Sequence, residues 1–576
     1  MSKQQNSNSN KRRTNNPNRR GSKPGRRDKK VEVSVEEKNI NREDLPHIIT
    51  NARSNNDPSW YSHIYPLLQD VASMPFSYPV GVSYDALNTP AFMTGDTMNS
   101  IDQVDDYAKV IPGIFTLELA PTCGIADAID SAPNIAAQQL YTLVRKANSG
   151  NVNQYDKTDL MMMVMAMDSA YMLYEECIRA YKILGSYNYM SRYQPDDLLY
   201  ALGFSPEIGR DMADFKAALD LFAYQLGSIN VPDQFDFIHR HSWLFSHVYK
   251  DSEDSRAQLY AYVPAGFHVW TEGQEGKPTY LKYVPRFELY GLTEDSRYRV
   301  RTVDDLRTAI NKIMQPILGS QDIGVMTGDL MKAFGEGGMI NIQVVSDSEV
   351  MTPVYDMEVI NQMMNANWYT VTTEYTHQPI QGLDIIPEFN NLVAGPYLTS
   401  RPYVSGVTQW SQCLACMKRL LNLKGMEGTP ENVMVATRLM SYMSPDEIDQ
   451  DPESTQANFP ITTCGTEIAV RASIFTKRFP DSMRPFTPGD YPEQWILFQA
   501  MDAKNTSTAL QLMLISAFDN APTIYTFENY DANKYKFVNQ MQDVNKYTWV
   551  SDSQTKRLNE VAIMSEFAVK DYKTGI

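Results

Sequence analysis

The sequence predicts a mainly α fold with minor β, on three observations. An eight-residue apolar run, Leu160–Met167, opens a helical pattern that continues to Gly185. Apolar residues then recur at spacings of three and four through Met212, Phe215, Leu219, Phe222 and Leu226;. Strand-like alternation is confined to short pieces such as 258–263, 280–284 and 368–375;. With 576 residues, 43% of them apolar, the chain can hold three or four domains or one large discontinuous unit;.

Residues 1–30 read MSKQQNSNSNKRRTNNPNRRGSKPGRRDKK, with eleven Lys or Arg against the single acid Asp28. They carry +10 in a chain of −17, which leaves −27 on residues 31–576. No apolar side chain follows Met1 until Val31, so the segment has nothing to bury against the entropy of ordering and is expected to be disordered;. A mobile polycation on an acidic body calls for a polyanion, and nucleic acid is the first candidate. A solubilising tail lying on its own body and a targeting or membrane-binding patch are the alternatives. Spread over the roughly 20,000 Å² that a compact body of this mass exposes, the acidic charges stand about 27 Å apart, well beyond the ~8 Å screening length. Duplex nucleic acid carries one charge per about 1.7 Å and is the stronger attractor.

Residues 31–46 switch sign, with five acids against two bases, and read as a tether. Asn55-Asn56-Asp57-Pro58-Ser59 is a turn before Trp60-Tyr61, 65–72 a short helix, and 74–125, rich in Pro and Gly, irregular chain with short strands;. Asp156, with Asp159 three residues on, caps the long helix, which Gly185 ends;. Its first half is apolar all round and should be buried, whereas Asp168, Glu175, Arg179 and Lys182 draw a narrow polar stripe along the second;. Ser205-Pro206 starts the next helix and Gly227 ends it;. Further helices are expected at 302–318, 325–334, 355–366, 409–423, 430–443 and 506–517, with 376–407 rich in loops. No fixed-period repeat is visible.

The basic start has no apolar run behind it and so is no signal peptide, and eight apolar residues are too few for a membrane span;. The five scattered cysteines, Cys123, Cys177, Cys413, Cys416 and Cys464, suit a reducing compartment;. The 34 Tyr and 30 Met hint at a self-associating surface, because both residue types favour interface cores;.

Chemistry-bearing constellations are weak. His239 and His241, with His247 nearby, could supply zinc ligands, but a spacing of two suits one face of a strand, and no third ligand completes a site;. Phe235, Phe237, Trp243, Leu244 and Phe245 make an aromatic core their expected home. Cys413 and Cys416 form a lone CxxC inside an expected helix, away from the N-terminus where a redox thiolate would be stabilised;. Gly324–Gly328 and Gly335–Gly338 lack the Lys-Ser/Thr of a phosphate loop;. Asp196-Asp197 and Asp304-Asp305 read as helix caps or solvent-facing pairs. No catalytic residue, metal ligand or cofactor is assigned.

Several stretches together resemble the picobirnavirus capsid protein family. They are Asn56-Asp57-Pro58 with Trp60-Tyr61, Ala147-Asn148-Ser149-Gly150, Asp159–Met162 with Ala166-Met167-Asp168-Ser169, and Arg192-Tyr193. Ala201-Leu202-Gly203-Phe204, Phe237–Trp243, Thr327–Leu330 and Ala333-Phe334-Gly335 complete the set, which spans roughly 50–340. The resemblance implies a largely helical shell protein of a double-stranded RNA virus, assembling as about sixty two-fold dimers into a closed icosahedral shell in the host cytoplasm. It implies an arm and tether at 1–46, a shell domain from 47–250 and 409–576, and a projecting, dimerising domain inserted at 251–408. It implies as partners other copies of the chain, viral RNA and a packaged polymerase, no enzymatic activity, no stable membrane association, and an inward arm open to proteolytic removal. Charge and resemblance together assign non-specific RNA contact to Lys11, Arg12, Arg13, Arg19, Arg20, Lys23, Arg26, Arg27, Lys29 and Lys30;. The arm has no aromatic residue to stack on bases;. A non-capsid RNA-coating nucleoprotein is the alternative, and a metallo-hydrolase centred on His239 and His241 a remote one.

Overall fold

The computed structural model divides the chain into two units, 1–69 and 70–576. The residues it describes all lie in the second: 114–149, 154–186, 194–253, 257–274, 277–292, 299–368, 380–389, 395–407, 420–424, 427–443, 449–450, 457–477, 493–497, 501–502, 518–520, 525–531, 534–540 and 547–569. The arm, the tether, the Asn55–Tyr61 turn, the expected helices at 65–72 and 506–517, and Cys413 and Cys416 lie outside them.

The first half of the unit comprises β1 (Ile114–Pro121), α1 (Ala132–Ala147), α2 (Lys157–Leu184), α3 (Gln194–Ala201), α4 (Met212–Gly227) and α5 (Asp236–Ser246). There follow β2 (Tyr249–Lys250), β3 (Leu259–Pro264), β4 (Gly266–Thr271), β5 (Tyr280–Pro285), α6 (Arg286–Tyr290), α7 (Val303–Gly319), α8 (Gln321–Phe334), β6 (Val354–Tyr355) and α9 (Met357–Asn365). Beyond them short strands dominate: β7 (Ile380–Gln381), β8 (Ile386–Glu388), β9 (Tyr397–Thr399), β10 (Tyr403–Val407) and β11 (Leu420–Asn422). After α10 (Pro430–Ala436) come β12 (Tyr442–Met443), β13 (Asp449–Gln450), β14 (Ala457–Thr463), β15 (Glu467–Lys477) and β16 (Glu493–Leu497). The last of the described chain is β17 (Met501–Asp502), β18 (Tyr525–Asp531), β19 (Lys534–Gln540), β20 (Tyr547–Trp549) and α11 (Asp552–Glu566).

Helix α2 is the axis of the core. The Asp159 carboxylate accepts the Asp156 amide at 2.9 Å, the local start that the sequence signalled;. All but four of its residues are buried, well beyond the apolar first half. The polar stripe thus turns inward, with Asp168 and Arg179 buried and Glu175 and Lys182 partly so, and each member has a partner. Asp168 meets His241, Glu175 accepts from Ser242, Arg179 donates to the Tyr262 and His247 carbonyls, and Lys182 meets Glu349. Helix α4 also forms where periodicity placed it, but Pro206–Asp211 winds as a separate 3₁₀ turn before it.

A six-stranded sheet, ordered β16-β15-β1-β3-β2-β6, closes the other side of the core. Its centre is β1, antiparallel to β15 and parallel to β3. The sequence reads 74–125 as irregular chain with short strands, and β1, eight residues long, is one of them. A strand covered on both faces is a continuous apolar run rather than an alternation, and only Glu118 of β1 is not fully buried;. The pairing of β1 with β3 also crosses the boundary expected at 250/251, so residues on both sides of it share one sheet.

Two expected helices and one strand-like reading need correction. Residues 420–422, the end of the one expected at 409–423, form β11 against β20. The helix expected at 430–443 stops at Ala436, and 442–443 pairs with β14. His239 and His241 lie on helix α5 and not on a strand, so two residues of rotation send them to different environments. Helices 302–318, 325–334 and 355–366 appear as α7, α8 and α9, with α8 starting four residues early.

Gly203 shows how tightly one corner is built. It has a φ of +78°, and a Cβ there would lie 2.6 Å from Arg286 Nη1. Arg286 is buried, donates to Glu176 at 2.6 Å, and stacks over Phe204 and Tyr290, each about 5.1 Å away. Gly203→Ala should therefore cost more than the ~1–2 kcal/mol of a left-handed alanine. Gly291→Ala (φ +70°, nearest neighbour 3.5 Å) should cost only that conformational term. Chemical denaturation of the two variants checks the difference.

Candidate functional site

The most heavily charged buried place joins α2, α5, β15 and α11. Glu467, first residue of β15, is almost fully buried. Its two oxygens accept Arg240 Nε at 2.7 Å and Arg240 Nη2 at 3.0 Å, a two-pronged pair from α5;. The Thr466 hydroxyl donates to Oε1 at 2.8 Å. His241, also on α5, sits between two carboxylates: Nδ1 is 2.7 Å from Asp168 Oδ2, and Nε2 is 3.0 Å from Glu467 Oε1. The second contact is an ion pair too bent to count as a hydrogen bond. Glu566 at the end of α11 reaches to 4.0 Å from Arg240 Nε. Arg438 donates to the Met434 and Leu558 carbonyls from the same neighbourhood and feels both Glu566 and Glu467.

Burial raises every cost here, and the charges answer one another. Burial would neutralise His241, yet Asp168 and Glu467 raise its pKa to about 10, so the imidazole is a cation. Burial would raise Glu467, yet Arg240 and His241 hold it well below the ordinary carboxylate range. Asp168 and Glu566 are raised by burial against the pull of His241 and Arg240 respectively. Burial pushes Arg438 down to about 10. Three carboxylates thus face three cations.

This arrangement holds segments together; it has no free group for chemistry. Both nitrogens of His241 face carboxylates, leaving no lone pair for a metal, and His239 lies apart with Nε2 2.9 Å from Asp233 Oδ1. Among the described residues no group of three or more His, Cys, Asp or Glu is placed to hold a metal ion. Phe237 and Phe245 flank His241, and Phe237 stacks on Phe567 at 4.4 Å, so the aromatic surroundings expected from sequence are present, with carboxylates at the ring's edge. His268 is the contrasting case: burial lowers it to about 4, and it faces the Leu383 carbonyl at 2.9 Å.

The ten arm cations assigned to RNA lie outside the described residues. Asp305 forms a capping box of α7 with Thr302, in keeping with the reading of Asp304-Asp305 as helix caps or solvent-facing residues, and Asp304 pairs with Arg307 at 3.0 Å. Asp196 and Asp197 fall in the first turn of α3, where Asp197 is buried instead of facing solvent. Gly324 and Gly328 belong to helix α8. Glu467 and Glu566 went unnoticed in the sequence, because each is one acid among many. Their pairing across more than 200 residues leaves no local pattern.

Two outcomes test the network. Glu467→Gln leaves Arg240 and His241 buried beside a neutral amide and should destabilise by about 3–5 kcal/mol in denaturant unfolding. The raised pKa of His241 contributes stability that is complete below its ordinary 6.5 and is lost as pH rises towards about 10;. The lowered Glu467 contributes stability above its ordinary 4.5 and loses it in acid. Thermal unfolding should therefore show a stability that declines from pH 6.5 to 10, and His241→Gln should flatten that decline.

Comparisons with known proteins agree on one family. The family described as "Picobirnavirus, Capsid protein" matches residues 60–550. The capsid protein precursor of a human picobirnavirus (strain Human/Thailand/Hy005102/-) is 28% identical over 528 residues, covering 89% of this chain and 91% of that protein. The structure titled "X-ray crystallographic structure of the picobirnavirus capsid" superposes with a TM-score of 0.69 at 22% identity, over 90% of this chain and all of that one. Among the described residues no helix is long and apolar enough to cross a membrane. Matched along most of its length and folded alike, this chain belongs to the picobirnavirus capsid protein family and is a viral structural protein of the virion.

Proposed function

We propose that this chain self-assembles, through two-fold dimers, into a closed icosahedral shell around double-stranded RNA, with residues 1–30 contacting the RNA through charge alone. The observation that carries the RNA part is the division of charge, +10 on the first thirty residues and −27 on the rest. Such an arm neutralises phosphates without reading bases, so its binding is insensitive to sequence and steep in salt. An acidic body repels RNA from surfaces the arm does not reach and keeps particles apart in solution.

Two features support the shell. β1, near the start of the described body, is bound along its whole length to β15, more than 340 residues later, which suits a shell domain contributed by both 47–250 and 409–576. A projecting insertion within 251–408 belongs to the same proposal, anchored in the shell at β3. Helix α4 turns Ala213, Ala217, Leu221 and Tyr224 to solvent, with Leu221 59% and Tyr224 79% exposed, an apolar surface that gains from being covered;. A polymerase packaged with the RNA and assembly in the host cytoplasm complete the reading.

Expression of the chain without residues 1–30 tests it. Closed particles should form as before, and the RNA that co-purifies should fall sharply, measured by absorbance ratio and extraction. Equal RNA in truncated and full-length particles would refute the arm's role, and assemblies that form only with RNA would refute the self-closing shell.

A further inference from the structure

A cavity of about 490 Å³ lies between α2, α5 and the extended segment Met339–Val345, and the charge network does not use it. Helix α2 lines it with Tyr171, Tyr174, Glu175 and Ile178, and α5 adds Ile238 and Ser242. Two ion pairs stand on its wall. Lys182 Nζ is 2.8 Å from Glu349 Oε2, and His239 Nε2 is 2.9 Å from Asp233 Oδ1, so each of these groups already has a carboxylate partner. Glu175 is different. It accepts a hydrogen bond from the Ser242 hydroxyl at 3.0 Å, and among the described residues no cation lies within ion-pair distance of it. Burial raises its pKa, while Lys182 and Arg179 act on it only from farther away. A mostly buried carboxylate with one neutral donor is costly unless something completes it.

We propose that this cavity binds an aliphatic organic cation, an ammonium or guanidinium on a carbon stem, with Glu175 as its counter-charge. The three carboxylates on the wall, Glu175, Asp233 and Glu349, outnumber Lys182 and His239, so the site rejects anions. Tyr171 and Tyr174 put aromatic rings on its lining, which suit a cation, and Ile178 and Ile238 add apolar lining that suits a methylene stem;. The volume falls within the range of small-ligand sites, ~300–1,000 Å³. Such a cation has two sources: a free polyamine, or a Lys or Arg side chain presented by a peptide.

Isothermal titration of the full chain at fixed salt tests the site, with spermidine for the first source and a blocked Gly-Arg-Gly tripeptide for the second. At least one should give saturable binding, the tighter of the two naming the source. Glu175→Gln, which keeps the shape and the Ser242 contact, should weaken that binding about tenfold or more. Lys182→Met removes a competing positive field and also frees Glu349, so it should tighten binding, and Glu175→Gln made in the Lys182→Met background should still weaken it about tenfold, which a purely structural role for Glu175 does not give. No saturable binding by either probe, or equal affinity in Glu175→Gln, overturns the proposal. Should Glu175→Gln fail to fold, unchanged or weaker binding by Lys182→Met overturns it equally.

Discussion

The body depends on one buried carboxylate and what surrounds it. Glu467 starts the strand that pairs with β1 and holds Arg240 through both its oxygens, while His241 from the next position on α5 bridges it to Asp168 on α2. Four segments far apart in sequence thus meet in one nearly neutral set of charges. Apolar packing alone tolerates sliding and repacking, whereas a buried charge is satisfied only in one register. The strand–helix arrangement of the two ends of the body is fixed by that requirement.

The same logic separates three histidine environments, two of them buried and one half-buried. His241 is charged because carboxylates meet both its nitrogens. His268 is lowered by burial against the pull of the Leu383 carbonyl and Asp384, and the half-buried His247 is lowered by burial despite its bond to Trp243. In the Glu467 network the buried charges are committed chiefly to one another, which ties the segments that carry them.

Local signals were legible. The Asp156/Asp159 start of α2, the apolar spacing of α4 and the acidic Asp304-Asp305 at the start of α7 are each written within a few residues, and each helix formed. The internal position of the α2 polar stripe was not legible, since its partners lie from 67 to more than 160 residues away. β1 was foreseen only as an unplaced short strand within 74–125 and β15 was missed, while α11 was missed because few of its residues are apolar, although Ala562 and Ile563 are buried and Asn559 donates to the Met440 carbonyl at 2.8 Å. His239 and His241 looked like neighbours on a strand face; the helix turned one outward to Asp233 and the other into the network. Family membership was legible from short ordered matches, whereas the residues that hold the body together were not.

A double-mutant cycle on Arg240→Met and Glu467→Met, read by denaturant unfolding, measures the interaction on which the fold is argued to rest. The account predicts strong non-additivity, with the double variant more stable than the sum of the single losses by about 2–3 kcal/mol or more. Additive losses would show that these two residues act separately and would contradict it.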